Sequence, residues 1–363
     1  MKNFLQTIGT AIVVYFIASF IFTSLDETNQ TVSPSPVVTE PTPTSTTELP
    51  PSTIQLPQII GEASQSTKTK IATYSWTYES DWSWELEIPV ALYDYFKQLP
   101  RPPTENYSVY VTHPLDDPYV DRLAEKIIKA AQDKDYDSFQ TVELAASFVQ
   151  SLPYTSDSVT TPYDEYPRYP IETLYDNGGD CEDTSILLAS IIDKMGYEVV
   201  LIEFPDHLAV GVKGSDTMHG SYWEYQGNRY FYIETTGENW GIGELSEEYN
   251  NSSAYIHPMI SVPILTHDWT SKGNSFTLEL KVTVNNLGSA MAEGVYVYAG
   301  FDAGNDQSWN HKESSLFDLG VNESVVATIY LTPPLGVHTR LVIQIVYDGY
   351  AVDQSYSEWF DTY

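Results

Sequence analysis

Cysteine is almost absent: Cys181 is the only one in 363 residues. That excludes an intrachain disulfide and a thiolate-rich zinc site, so an exported chain would keep one unpaired thiol. Basic residues are also scarce, with 17 Lys and Arg against 50 Asp and Glu and a formal charge of −33. Such a field repels phosphate, which disfavours nucleic acid and anionic lipid surfaces as partners. The imbalance is concentrated between residues 71 and 258, where 33 acids face 10 bases. A solvated, salt-tolerant surface accounts for it without a partner. Helical periodicity is missing from residues 26–70 and from about Ser261 to the end.

One long apolar run is present, from about Phe4 to Leu25. Its length of about 22 residues suffices to cross a bilayer core of about 30 Å. Lys2 precedes it and Asp26 and Glu27 follow, which predicts a cytoplasmic N-terminus with the bulk of the chain extracytoplasmic. The run is long for a signal-peptide core and ends without a small-x-small site, so residues 1–25 are expected to be an uncleaved single transmembrane helix. Residues 26–70 are rich in Pro, Thr and Ser, the composition of a disordered linker that could extend on the order of 100 Å. Glycosylation triplets at Asn29, Asn106, Asn250, Asn251 and Asn322 agree with export.

From Tyr74 the aromatic residues alternate: Tyr74, Trp76 and Tyr78, then Trp82 and Trp84, with Leu86 and Ile88 continuing the pattern. This predicts a hairpin around Glu79–Asp81 with its aromatic face towards a core, a sugar-stacking platform being the alternative. Two helices are expected next. The first, over 116–135, places Val120, Leu123, Ala124, Ile127, Ile128 and Ala131 on one face. The second opens at Asp137, with Gln140 at capping-box spacing. Asp133, Asp135 and Asp137 alternate like the start of a calcium loop, but Ser138 and Leu144 stand where its glycine and bidentate glutamate belong, so helix capping is preferred. Residues 153–180 read as a loop, followed by a helix from Cys181 and three strand-like runs at 197–204, 207–214 and 229–236. Helices backed by antiparallel strands make residues 71–258 an α+β domain. Residues 259–363 alternate in short runs such as Phe276–Val284, Val325–Leu331 and Leu341–Tyr347, the pattern of an all-β sandwich. Asp302 and Asp306 there read as a solvated turn rather than an ion site.

The segment Gly178-Gly179-Asp180-Cys181-Glu182-Asp183 carries the chemistry. Asp180 suits an N-cap and puts Cys181 in the first helical turn, where the helix dipole and unpaired N–H groups favour a thiolate. Gly178 and Gly179 are expected to open one side of the sulfur to substrate. Asp180, Glu182 and Asp183 oppose this by raising the thiol pKa, so a nearby imidazolium is required. His207 opens a strand after a turn and is the preferred partner, and Glu234, an acid among aromatic and β-branched residues, is the preferred group to orient it. A structural cysteine, a strand-end histidine and an edge-strand glutamate are the ordinary alternatives.

The run from Gly178 to Val199, with Asp206–Val212 and Tyr232–Thr236, resembles the transglutaminase-like superfamily of cysteine enzymes. The similarity is to a microbial branch whose nucleophile lies in a Gly-Asp-Cys-Glu-Asp motif. Phe148–Asp157 and Tyr169–Cys181 fit the approach to that motif, and Tyr74–Pro89 resembles the entry of archaeal membrane-anchored members. Over about residues 71–250 the resemblance implies a papain-like core with Cys181 as nucleophile, His207 as general base and acid, and Glu234 as orienting carboxylate. The family usually has Asp at the third position, and Glu234 is one methylene longer. Gln150 and Tyr154 are the candidate side-chain oxyanion donors. The implied reaction forms a thioester on a protein or peptide amide at the cell surface, followed by hydrolysis or transfer to an amine, with no metal or cofactor. The C-terminal module, notably Leu278–Phe301, resembles adhesion-related immunoglobulin-like domains of surface proteins. An inactive transglutaminase-like binding module is the other function compatible with the sequence.

Overall fold

The computed structural model describes residues 52–54, 68–156, 166–249, 252–274 and 276–363. The expected transmembrane helix, most of the linker and the triplets at Asn29, Asn250 and Asn251 lie outside them. Among the described residues no helix is long and apolar enough to cross a membrane.

A strand β1 (Ser52–Ile54) departs from the expectation of an unstructured linker: it pairs antiparallel with Ser324–Val326. The reason is an open sheet edge, whose unpaired backbone groups accept any extended segment that reaches them. The predicted hairpin then forms as β2 (Thr69–Tyr78) and β3 (Ser80–Pro89), turning at Glu79 with φ 52°. Tyr74 pairs with Trp84 and Trp76 with Trp82, which puts these rings on one face. Tyr74 and Trp76 meet Phe148 edge-on at 5.2 Å between ring centres, as core packing requires.

The helices α1 (Val90–Gln98), α2 (Ser108–Val111), α3 (Asp117–Asp133) and α4 (Ser138–Gln150) follow. α3 buries Val120, Leu123, Ala124, Ile127 and Ala131, the expected face. At α4 the capping box is formed: Gln140 N–H donates to Asp137 Oδ1 at 2.9 Å, and Asp137 N–H donates to Gln140 Oε1 at 3.1 Å. That carboxylate is therefore spent on the cap, as preferred over a calcium loop.

Residues 153–180 are not all loop. A helix α5 (Pro170–Asp176) lies within them, with Pro170 in its first turn, Tyr169 N–H donating to Glu172 Oε2 at 3.0 Å, and Asn177 closing it in the left-handed conformation at φ 59°. α6 (Cys181–Lys194) is the buried central helix, with Ile186 to Ile192 fully or almost fully enclosed. It packs on an antiparallel sheet of order β6-β7-β5-β4-β8, built from β4 (Val199–Phe204), β5 (His207–Gly214), β6 (Tyr222–Tyr225), β7 (Asn228–Ile233) and β8 (Tyr255–Pro258).

The C-terminal part is two facing sheets around a second core of Val282, Val284, Val297, Phe301, Ile329, Ile343 and their neighbours. One sheet runs β1-β14-β10-β9, with β9 (Leu265–Gly273), β10 (Leu278–Asn286) and β14 (Ser324–Leu331). The other is built on β11 (Ala292–Gly304), β12 (Gln307–Glu313), β13 (Phe317–Leu319), β16 (Leu341–Tyr347) and β17 (Tyr350–Tyr356), while β15 (His338–Thr339) pairs with β18 (Phe360–Asp361).

The two parts touch through polar groups. Thr112 Oγ1–H donates to Ser289 Oγ at 2.8 Å, and Asn322 Nδ2 lies 3.1 Å from His113 Nε2. Asn322 is 7% exposed, which leaves no room for a glycan on the folded chain, contrary to its triplet. Burial pushes His113 down to about 4 from 6.5. The unfolded chain then binds more protons between those values, so stability should fall as pH drops from about 6.5 to 4. Thermal melts across that range should show a decline that is shallower in a His113→Gln variant; parallel declines would show that this contact does not set the pH response.

The helix that carries Cys181 is fastened from outside. Arg168 N–H donates to Asp183 Oδ1 at 2.7 Å, its guanidinium pairs with Asp183 Oδ2, and its Nε lies 3.5 Å from Asp176 Oδ2. Arg168 and Asp183 are 2% and 0% exposed, so losing one partner strands a buried charge. Arg168→Ala should cost roughly 3–5 kcal/mol in denaturant unfolding. A loss under about 1 kcal/mol would show that the pair does not hold the helix.

Candidate active site

Cys181 is the first residue of α6, and Asp180 before it is extended with φ −97°. Asp180 N–H reaches Asp183 Oδ2 at 3.4 Å, so the acids of the first turn organise the helix end. Gly178 and Gly179 have a structural duty rather than the expected one of admitting substrate. A Cβ on Gly178 would stand 2.5 Å from the Pro153 carbonyl oxygen, and one on Gly179 would collide with the Asp183 side chain. Both glycines let residues 153–155 pair with the strand before the helix: Gly179 N–H donates to Pro153 O at 3.3 Å and Thr155 N–H to Gly179 O at 2.9 Å.

His207 begins β5, the strand on which α6 packs. Ser185 Oγ–H donates to Leu208 O at 2.8 Å, tying helix to strand one turn from the cysteine. The backbone of Leu208 is also near enough to Cys181 to oppose the rise in the thiol pKa.

Glu234 follows the last residue of β7 and is 5% exposed. Its Oε2 lies 3.2 Å from His207 Nε2 and accepts from Tyr232 Oη–H at 2.6 Å. Its Oε1 accepts from Thr235 N–H at 2.9 Å, Thr236 N–H at 2.9 Å and Thr236 Oγ1–H at 2.7 Å. Burial alone would raise this carboxyl, but the His207 contact and these donors hold it down to about 2. It is therefore a fixed negative charge at neutral pH. The longer side chain that departs from the aspartate pattern spans the distance to the imidazole.

Two tyrosines that sequence reasoning missed complete the surroundings. Tyr232 is fully buried, with its hydroxyl 3.4 Å from His207 Nε2 as well as on Glu234. Tyr249 lies flat on the imidazole, with ring centres 5.1 Å apart and planes at 11°. Tyr232 was visible only as one more strand aromatic; its place two residues before Glu234, on the same side of the strand, was the available signal. Tyr249 comes from a short helical turn between β7 and β8 and carried no signal.

Of the two expected oxyanion donors, Gln150 does not fit. Its amide nitrogen donates to Glu234 O at 2.8 Å and Trp240 O at 3.0 Å, so it braces the loop after Glu234. Tyr154, 62% exposed, borders a cavity of about 340 Å3 beside Gly179, lined also by Thr184, Thr235, Thr236 and Glu238. The first-turn N–H groups of a helix have no carbonyl partner inside it, so the helix end itself supplies donors beside the sulfur.

The resting thiol is not ionised. Burial raises its pKa above the usual value, and the charge of Glu182 adds to this; the Leu208 N–H acts in the opposite sense. Cys181 Sγ–H donates to Glu182 Oε2 at 3.1 Å. The acids flanking the cysteine therefore have different tasks. Asp183 fastens the helix, and Glu182 holds the thiol proton.

No family model matches the sequence, and no curated protein matches it. Among solved structures, EGTA-treated LapG of Legionella pneumophila is similar over 45% of this chain and 83% of its own, at 16% identity and a TM-score of 0.26. Red sea bream transglutaminase is similar over 85% of this chain and 64% of its own, at 9% identity and a TM-score of 0.24. The CARDB domain of a Pyrococcus furiosus protein, solved with di-metal ions, covers 28% of this chain and 89% of its own, at 19% identity and a TM-score of 0.22. Scores of this size do not establish a shared fold, and the chemistry of the site rests on its own geometry.

Because the Glu182 charge holds the thiol proton in place, Glu182→Gln should move the onset of labelling by a thiol-reactive probe to lower pH. An unchanged labelling profile would show that Glu182 does not control the sulfur.

Proposed function

We propose that this chain is a membrane-anchored, extracytoplasmic cysteine enzyme that forms a thioester on protein or peptide amides. The observation that carries the proposal is the division of the His207 contacts. Nε2 is held by Glu234 at 3.2 Å, while the backbone of the adjacent Leu208 lies near enough to Cys181 to influence its thiol. This leaves Nδ1 as the ring nitrogen for proton exchange with the thiol.

The reaction follows from these roles. The Cys181 proton passes to His207 Nδ1, and the ionised Glu234 stabilises the resulting imidazolium. The thiolate adds to the substrate carbonyl, and N–H groups at the α6 terminus stabilise the oxyanion. Collapse of the adduct breaks the C–N bond as the imidazolium gives its proton to the departing amine, leaving the acyl group on sulfur. Water, or a lysine amine, then adds to the thioester with His207 again accepting the proton, and Cys181 leaves as the thiol. Stacking by Tyr249 and burial by Tyr232 restrict rotation of the imidazole and keep water from Glu234. The apolar run at residues 4–25 supports anchorage at the membrane, with the catalytic part held outside.

One observation favours a competing reading. A neutral thiol tied to Glu182 is also what a non-enzymatic surface module would have, its two folded parts binding partners or wall components. The two readings separate on reactivity. Labelling of Cys181 in the purified chain across pH should depend on His207, and His207→Ala should slow acylation by a peptide amide on the order of 10²–10⁴-fold. If His207→Ala leaves both labelling and acylation unchanged, the enzymatic reading fails and the binding module stands.

A further inference from the structure

The aromatic hairpin packs one side of Trp82 and Trp84 on the core and leaves the other side of both rings on a surface cavity. On β2, Tyr74 and Trp76 are buried, but their cross-strand partners Trp84 and Trp82 on β3 are only half-buried. These two indoles form one wall of a surface cavity of about 380 Å3. The opposite wall is the C-terminal half of α3, with Lys126, Lys129, Ala130 and Asp133, followed by Lys134. The first four recur at helical spacing and so share one face of α3. The volume lies within the roughly 300–1,000 Å3 typical of small-ligand sites.

The charge of this cavity runs against that of the chain. Three of the ten bases between residues 71 and 258 surround it, in a stretch with 33 acids. Favourable placement near the helix C-terminus accounts for some of these lysines, but it does not account for two indoles facing them. The ammonium groups are lightly held. Lys126 Nζ donates to Glu85 O at 3.3 Å, Lys129 Nζ lies 3.7 Å from Asp133 Oδ2, and Lys134 Nζ stands 5.7 Å from the centre of the Trp82 ring. Trp82 spends its N–H on Tyr78 O at 3.0 Å, whereas the Trp84 N–H has no hydrogen-bond partner among the described residues.

We propose that the cavity between Trp82, Trp84 and the lysines of α3 binds the carboxylated sugar of an anionic glycan. Each part of the lining corresponds to a part of that ligand. The indoles take the C–H face of a pyranose ring, as aromatic side chains do with apolar faces that carry a polar rim. The ammonium groups pair with the carboxylate. Asp133 accepts hydrogen bonds from hydroxyl groups, and the Trp84 N–H donates to one. A hydroxyl-rich ring with a carboxylate suits this lining better than a polyphosphate, which has no ring face to set against Trp82 and Trp84. The site is independent of Cys181 and would hold the chain on a glycan surface whether or not the thiol turns over.

The test uses the full chain in detergent with trigalacturonate as probe and its methyl ester as the uncharged control, read by tryptophan fluorescence and titration calorimetry. Trigalacturonate should bind saturably, the ester about tenfold or more weakly, and added salt should weaken the acid alone. Lys129→Glu with Lys134→Glu, both exposed and outside the core, should reduce binding by about tenfold or more while the thermal melt is retained. Trp84→Ala should weaken binding to a similar degree with a lowered melt, because the ring also packs on Trp76 and Phe148, and Cys181→Ala should bind as the unaltered chain does. Absence of saturable binding, equal binding of acid and ester, or no loss in the lysine variant would each overturn the proposal.

Discussion

The buried pair of Arg168 and Asp183 is the constraint on which the site depends. One carboxylate, in the first turn of α6, receives the Arg168 backbone N–H, its guanidinium and the Asp180 N–H. The loop before the helix, the helix end and α5 are thereby joined at one point, since Arg168 also reaches Asp176. Burying two charges costs several kcal/mol per ion, and good geometry with further hydrogen bonds is what offsets it. Cys181 lies between Asp180 and this anchor, and its place beside Leu208 follows.

A second carboxylate does comparable work from the sheet side. Glu234 stays ionised in a buried position because five donors converge on it, among them His207 and Tyr232. Its backbone carbonyl is in turn held by Gln150 of α4. The imidazole is therefore braced by three separate elements, with Tyr249 on its face. The thiol is less committed, since its proton is shared with Glu182 rather than with the histidine. The imidazole is thus rigidly held, while the thiol is hydrogen-bonded to Glu182.

The elements that the sequence announced were those with strong local patterns. The α3 face, the Asp137–Gln140 cap and the hairpin at Glu79 were all readable, because periodicity and capping act over a few residues. The pairing of His207 with Glu234 was expected from the sequence, and the two side chains do meet. The missed elements lacked such signals or had them overlooked. α5 carried Pro170 at its start and Asn177 at its end, inside a stretch otherwise rich in turn residues. The pairing of Ser52–Ile54 with Ser324 and its neighbours depends on an edge more than 260 residues away in the chain. The glycines before Cys181 looked like an opening for substrate, and only the packed neighbours revealed that Pro153 and Asp183 occupy that space.

By itself the sequence determined a chain with one thiol, a strongly acidic middle, an α+β part and an all-β part. Those properties follow from composition and short-range period, which no packing can alter. Tertiary structure decided what each acid near the cysteine does. Asp180, Glu182 and Asp183 are equivalent carboxylates in the sequence, all expected to raise the thiol pKa. In the folded chain Asp183 is spent on Arg168, Glu182 accepts a hydrogen bond from the thiol, and the more distant Glu234 holds the imidazole. Charge is a property of the residue, but its partner is chosen by distance and burial, and those exist only once the helix has docked on the sheet.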